Sequence, residues 1–345
     1  MTGGADFSRG PDTDPLSLYR YRDGLYAVDL LTTAIVHLDF FTWLAKNPST
    51  REQICSALRI AARPTDVMLT LFAANGFVAR ADGVYRATPM ARDFLAADSQ
   101  WFMGPYYASL KDRPIALDFL EILRTDKPAN WGSFRDEQEW QVAMQNEAFA
   151  RRFTAAMDCR GVLLGRVLAE KIDCSGFSHL LDVAGGSGIY ACAFVARYDR
   201  LRATVFERAP VDQIASRLIR ERGYADRVGV KTGDMFEGQF PPGCDIHLYS
   251  NVLHDWDEPK VKMLLAHSFR ALRAGGMLIV HDMHLHAEKN GPLPVAEYSC
   301  LLMHSTEGRC YSVAEIDGWL REIGFADVNY ASTTADRSVI TARKH

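Results

Sequence analysis

Residues 179–198 read HLLDVAGGSGIYACAFVARY. An apolar stretch carrying Asp182 runs into a turn of small residues, Ala184 to Gly188, and then into an alanine- and valine-rich segment with helical spacing. Strand, glycine turn, helix is the opening unit of a doubly wound α/β domain. The pattern then repeats downstream: RATVFERAP (202–210), VGVKTGDMF (228–236), DIHLYSNVLH (245–254), GGMLIVHDM (275–283) and ADVNYASTT (326–334) are apolar runs separated by helical segments. Strands alternating with helices predict a parallel sheet, whose ligands lie at the carboxyl ends of the strands.

A glycine-rich turn alone is weak evidence of a ligand, but three features narrow this one. The turn is led by an acid, Asp182; Glu207 ends the next strand, 19 residues after Gly188; and Gly233, Asp234 and Met235 end the third. Small residues let a cofactor approach the backbone, and a carboxylate at the end of the second strand can accept hydrogen bonds from ribose hydroxyls. A dinucleotide site prefers G-x-G-x-x-G, with the pyrophosphate on the helix N-terminus, and the spacing here is wrong for that. The Asp-led loop and the third-strand acid resemble those of class I S-adenosylmethionine-dependent methyltransferases. By that resemblance Asp182, Gly185, Gly186, Gly188, Glu207, Gly233, Asp234, Met235 and Ser250 fall on cofactor positions.

The first half of the chain has another character. Residues 1–15 are rich in Gly, Asp and Pro, carry no apolar core, and so read as a flexible end rather than a signal peptide. LYAVDLLTTAIVHLDFFTWLA (25–45) has helical spacing; STREQICSALRI (49–60) begins with a serine followed three residues later by Glu52, as in a capping box; PTDVMLTLFAANGFV (64–78) predicts a helix stopped at Gly76; and FVARADGVYRAT (77–88) predicts a hairpin through Asp82-Gly83. Helix, helix, helix, hairpin is the winged-helix order. A DNA-binding role does not follow, because the second helix carries few basic side chains, and a net charge of -4 gives no reason to expect a polyanionic partner. Its apolar content suits packing against another subunit. Residues 101–170 predict further helices dense in aromatics, including Trp101, Tyr106, Trp131 and Trp140.

The expected organisation is therefore a winged-helix-like dimerisation domain over 16–100, a helical connector contributing to a substrate pocket over 101–170, and a Rossmann-like cofactor-binding catalytic domain over 171–345. Seven scattered cysteines read as reduced thiols of a cytoplasmic protein, and no apolar run approaches the about 18 residues a membrane helix needs.

NVLHDWDEPKVKMLLAHSFRALRAGGMLIVHD (251–282) sharpens the resemblance to the caffeate and acetylserotonin type of O-methyltransferase, a dimeric family whose winged-helix domain serves dimerisation. The likeness covers roughly residues 25–343. It departs at Ser250, where family members commonly carry Lys or Arg. In plant-type members the His of HDW, here His254, removes the substrate proton, and two acids orient it. The first falls on Asp282; the second falls on Cys310, within GRCYS (308–312), and a thiol cannot replace a carboxylate beside an imidazole.

His304, four residues before Gly308, stands where O-methyl-transferring relatives place an apolar side chain. A lone His near an apolar helix is more often a satisfied core residue, but a pair of His converging from separate elements resembles the metal-dependent 2-oxo acid C-methyltransferases of peptide-antibiotic pathways, such as the phenylpyruvate enzyme. That resemblance implies an iron or zinc ion on His254 and His304, with Asp255 or Glu307 as the third ligand, and His284 and His286 as loop or supporting residues. Arg135, in SFRDEQEW (133–140), then falls on the arginine that holds the substrate carboxylate. Such a metal would polarise the keto group and stabilise the enolate. The sequence predicts a cytoplasmic homodimer that transfers a methyl group to C3 of a small 2-oxo acid, with no nucleic-acid or membrane partner. The alternative is O-methylation of a small aromatic or natural-product hydroxyl with His254 as the base.

Overall fold

The computed structural model describes residues 7–129 and 144–345. They form two compact units, one of residues 18–129 and 285–312, the other of residues 7–17, 144–284 and 313–345. Residues 285–312 thus gather with the helical half of the chain, although they follow the glycine loop in sequence.

In the helical unit, the long apolar stretch near the N-terminus does not make one helix. Ala27–Thr32 runs into a wide turn at Thr33–His37, and Asp39, at φ 48°, breaks the chain before Phe40–Lys46. The break lets Phe40 and Phe41 pack on Phe72, with ring centroids 5.6 and 4.9 Å away. A capping box does open the next helix, Arg51–Leu58, but one residue later than the serine suggests. Thr50 accepts from the Gln53 amide and donates its own amide to the Gln53 side chain. Ser49 instead turns its hydroxyl to Asn47 O, since it lies in the short strand β1 (Ser49–Thr50). The helix Ala62–Ala74 ends before Gly76, at φ 71°. The hairpin follows as β2 (Val78–Ala81) and β3 (Val84–Ala87), turning through Asp82 and Gly83 at φ 51° and 77°, and β1 pairs antiparallel with β3. Helix Leu293–Ser305 and the segment after it belong here too. Arg63 ties them in, donating to Thr306 O and Gly308 O at 3.1 and 2.9 Å.

The other unit is built on a seven-stranded sheet: β4 (His179–Val183), β5 (Arg202–Glu207), β6 (Val228–Thr232), β7 (Ile246–Ser250), β8 (Met277–Asp282), β9 (Ala326–Ser332) and β10 (Ser338–Arg343), in the order β6-β5-β4-β7-β8-β10-β9. The chain runs outward from β4 to β6 and returns to β7 beside β4, so the strand order reverses between β4 and β7. Ligands bind at such a switch point. Strands β7 and β8 are buried on both faces, as parallel strands between helices are. The sheet is not wholly parallel as expected. The five residues after β9 are too few for a crossover, and β10 pairs antiparallel with both β8 and β9.

Helix Glu147–Lys171 lies against helix Ile189–Arg197, where a side chain at Gly161 would come 2.2 Å from the Ile189 methyl. Among the described residues, no single helix is long and apolar enough to cross a membrane.

Candidate functional site

The loop after β4 is shaped by atoms that leave no room for larger residues. A Cβ on Gly185 would sit 2.6 Å from the Asp182 carboxyl, and Gly188, at φ 73°, opens helix Ile189–Arg197 in the left-handed region. Asp182 is buried and accepts from the Ala191 amide at 3.3 Å. Burial raises its carboxyl to about 7. Gly186, at φ 57°, faces open space and donates its amide to Glu207 Oε2 at 3.0 Å, while Glu207 Oε1 accepts from the Arg208 amide at 2.8 Å. Burial raises the Glu207 pKa against the pull of those amides. Gly233 is packed against Phe206, whose ring carbon is 2.3 Å from where a Cβ would stand. Asp234 caps the short turn Met235–Glu237 by accepting from the Phe236 amide, and Met235 is buried. The residues expected to hold the cofactor thus gather at the carboxyl ends of β4, β5 and β6, where Gly185 and Gly233 make room for Asp182 and Phe206 and Gly186 faces open space.

Ser250, at the end of β7, bonds to His281 Nδ1 at 2.9 Å, and His281 Nε2 meets Thr333 Oγ1 at 3.2 Å. Asn251, at φ 55°, donates to Ser250 Oγ and to the Tyr190 hydroxyl, both at 3.1 Å. Tyr190, Asn251 and Thr333 were not singled out in the sequence. They form a polar mesh at the end of β7.

His254 follows on a single turn, Leu253–Asp255, and is buried. Its Nδ1 bonds to Asp282 Oδ1 at 2.5 Å, and Asp282 also accepts from the Met283 amide. On the other side of the ring, Nε2 lies 3.6 Å from Asp255 Oδ1, whose side chain is 26% exposed. Burial pulls the His254 pKa down, but Asp282 and then Asp255 outweigh it, and the net shift is upward. Burial would raise Asp282, yet the His254 charge and hydrogen bond hold it at about 2. Asp255 is raised to about 6, chiefly by burial. A carboxylate fixes one nitrogen, and a second carboxylate stands beside the other. An imidazole so held can serve as a general base.

His304 has a different setting. Its Nε2 pairs with Asp118 Oδ2 at 2.8 Å, and its ring stacks between Tyr26 and Phe119 at centroid distances of 4.9 and 5.7 Å. Of the two nitrogens that His304 could bring to the expected metal, Nε2 is held by a buried carboxylate. Among the described residues no group of three or more His, Cys, Asp or Glu is placed to hold a metal. His284 Nδ1 is bonded to Ser338 Oγ and His286 Nδ1 to Asn290 Oδ1. Cys310 is buried and donates its amide to Ser299 Oγ. Arg135 lies outside the described residues.

Residues 123–326 match the O-methyltransferase domain family. The chain is 30% identical over 317 residues to the 3-hydroxy-5-methyl-1-naphthoate 3-O-methyltransferase of Streptomyces sahachiroi, covering 91% of this chain and 90% of that one. It is 28% identical over 304 residues to the L-tyrosine C(3)-methyltransferase of Streptomyces lavendulae, covering 85% and 82%. Among solved structures, an O-methyltransferase family 2 protein from Planctomyces limnophilus, in complex with apigenin, superposes with a TM-score of 0.90 at 32% identity over 99% of both chains.

Proposed function

The chain belongs to the O-methyltransferase domain family and is an S-adenosylmethionine-dependent methyltransferase, and from that premise we propose that it methylates the hydroxyl of a small aromatic natural product, with His254 as the base. The observation that carries this reading is the buried His254–Asp282 pair at the carboxyl ends of β7 and β8. Bound S-adenosylmethionine supplies an electrophilic methyl carbon, whose old bonding electrons stay on sulfur. Asp182 and the glycines 185, 186 and 188 would cradle it, Glu207 would take its ribose hydroxyls, and Gly233, Asp234, Met235 and Ser250 would surround the adenine side. His254 Nε2 accepts the hydroxyl proton as the oxygen becomes nucleophilic. Asp282 keeps the ring in one tautomer and stabilises the imidazolium that forms. The relatives named for naphthoate and apigenin make a fused or extended phenol the substrate class to try first.

The second reading is C3-methylation of a 2-oxo acid on an iron or zinc ion held by His254 and His304, with Arg135 as the carboxylate anchor. A relative named as a C(3)-methyltransferase supports carbon as an acceptor. Among the described residues no group of three or more His, Cys, Asp or Glu is placed to hold that metal. Methyl-labelled cofactor and NMR of the product separate the two readings. Label on oxygen in a chelator-insensitive reaction upholds the first, whereas label on carbon, lost with a chelator and restored by iron or zinc, replaces it with the second.

The same proposal makes the enzyme a homodimer through its helical unit, with residues 16–100 as the dimerisation domain, 101–170 as a connector contributing to the substrate pocket and 171–345 as the catalytic domain. Of the 12 large hydrophobic residues that are exposed among the described residues, all but Met263 and Tyr330 fall between Leu18 and Leu117, and Tyr21, Trp101 and Tyr106 are each more than half exposed. Apolar surface so concentrated marks an interface. A stable monomer near 38.6 kDa by light scattering at micromolar concentration would overturn it.

A further inference from the structure

We propose that Asn251 is a positioning residue that couples the glycine loop to the base, so that filling the cofactor edge orders the turn that carries His254. This rests on the reading of His254 given above and adds to it a residue that acts through the base.

Asn251 stands at φ 55°, a left-handed conformation that residues other than glycine rarely take. Such strain persists only where the surroundings impose it, and here three other elements do so. The Asn251 amide donates to the His281 carbonyl at 2.9 Å, in the strand residue just before Asp282. Its side-chain Nδ2 donates to Ser250 Oγ and to the Tyr190 hydroxyl, both at 3.1 Å, and its Oδ1 faces Arg337 Nε at 3.5 Å. Since a guanidinium can only donate, that last contact fixes which way the amide is turned. Tyr190 is the buried second residue of helix Ile189–Arg197, which the glycine loop opens. Arg337 is buried just before β10, with Nη1 on the Ala335 carbonyl at 2.7 Å. Asn251 therefore joins the helix behind the glycine loop, β8 beside the acid that holds the base, and the approach to β10.

Place in the chain gives this junction its consequence. β7 ends at Ser250, and the left-handed residue after it turns the chain out of the strand direction and into the turn Leu253–Asp255. That turn is closed by the Asp255 amide on Val252 O and the Trp256 amide on Leu253 O, each at 3.2 Å. With so little of its own to hold it, its aim depends on the angle at which the chain enters. Ser250 lies opposite His281 in the sheet, so the Asn251 amide bond is the last backbone link between β7 and β8 before the His254–Asp282 pair. An asparagine after a strand is ordinarily a local turn former that bonds to its own neighbours. Here two of the side-chain partners are 61 and 86 residues away. Glycine would accept the backbone angle and make none of the side-chain contacts, so Asn251→Gly cuts the junction without adding strain.

Hydrogen exchange on the full-length protein, with and without saturating S-adenosylhomocysteine, tests the coupling and needs no turnover. In the wild type the ligand should slow exchange in the glycine loop, residues 184–190, and should slow the turn, residues 252–257, by at least about fivefold. Asn251→Gly and Tyr190→Phe should bind S-adenosylhomocysteine within about threefold of wild type and keep the protection of the loop, while losing that of the turn. Phenylalanine removes the hydroxyl that Asn251 reaches and keeps the ring, whose centroid is 5.8 Å from that of His281. A merely structural Asn251 gives a different pattern, in which the turn exchanges faster in both states and still slows on binding. That result would overturn the coupling, as would a wild-type turn that ignores the ligand or variants whose turn keeps full protection. Should Asn251→Gly not fold, Tyr190→Phe decides by the same outcomes. The base and the coupling fail separately. Undiminished turnover in His254→Ala would remove the base and leave a ligand-ordered turn in place, whereas a turn indifferent to the ligand would remove the coupling and leave the base.

Discussion

Among the described residues, His254–Asp282 and His304–Asp118 are both buried histidine–aspartate pairs, and their settings differ. His254 spends Nδ1 on Asp282 and turns Nε2 toward Asp255, the last residue of the turn Leu253–Asp255, with a quarter of its side chain exposed. His304 spends Nε2 on Asp118, both side chains are nearly sealed, and two aromatic rings flank the imidazole. The chemistry of the two pairs is the same and the sequence makes them look alike. What differs is which nitrogen is committed and whether the element carrying the pair ends at a ligand crevice. On the reading proposed above, the His254 pair serves the chemistry and the His304 pair serves the packing of the helical unit.

The largest effect expected from that contrast is catalytic. His254→Ala should lower kcat by about 10² to 10⁴, the usual worth of a positioned proton acceptor, while calorimetry finds S-adenosylmethionine affinity unchanged. A variant that retains wild-type kcat would remove His254 from the chemistry. His304→Ala should invert this pattern. Deleting one partner of a buried pair costs about 3 to 5 kcal/mol, so its thermal midpoint should fall while turnover per folded molecule is little changed. Loss of turnover in folded His304→Ala, together with loss of a bound metal, would instead favour the C-methylation reading.

A smaller effect lies at the cofactor edge. Glu207→Ala should weaken S-adenosylmethionine binding by about 1.5 to 3 kcal/mol, the scale of hydrogen bonds to a charged group. The carboxylate already accepts two backbone amides, from Gly186 and Arg208, so the loop should also loosen. Unchanged affinity in calorimetry would place the ribose elsewhere.

These sites were unequally legible in the sequence. Strand, loop and acid spacing located the cofactor edge because period and turn chemistry are local, and five later apolar runs marked strands for the same reason. The seventh strand, Ser338–Arg343, escaped notice: it inserts antiparallel between β8 and β9 on a short connection, which breaks the alternating pattern. The capping box was displaced by one residue because Ser49 and Thr50 both satisfy its pattern, and only the strand pairing of Ser49 separates them. The partner of His304 could not be read from the sequence because it is 186 residues away. Period and turn chemistry can be read locally. Which nitrogen a carboxylate takes cannot.

The finest discrimination comes from pH. The base must be neutral to accept a proton, and its folded pKa stands above the ordinary 6.5 because Asp282 and Asp255 favour the charged ring more than burial disfavours it. Activity should therefore be low where His254 is protonated and rise with pH, with the acidic limb of kcat/KM lying above 6.5 rather than below it. Asp282→Asn removes the larger of the two attractions, so the ring loses its proton more readily and the limb should move to lower pH. Asp255→Asn should move it in the same direction and by less. The contrasting pair supplies the control. His304→Ala leaves Asp282 and Asp255 untouched and should leave the limb where it is. Kinetics across the range in constant ionic strength would check all four proteins. A limb that follows His304 rather than Asp282 would assign the titrating group to the wrong pair and undo the contrast from which these predictions start.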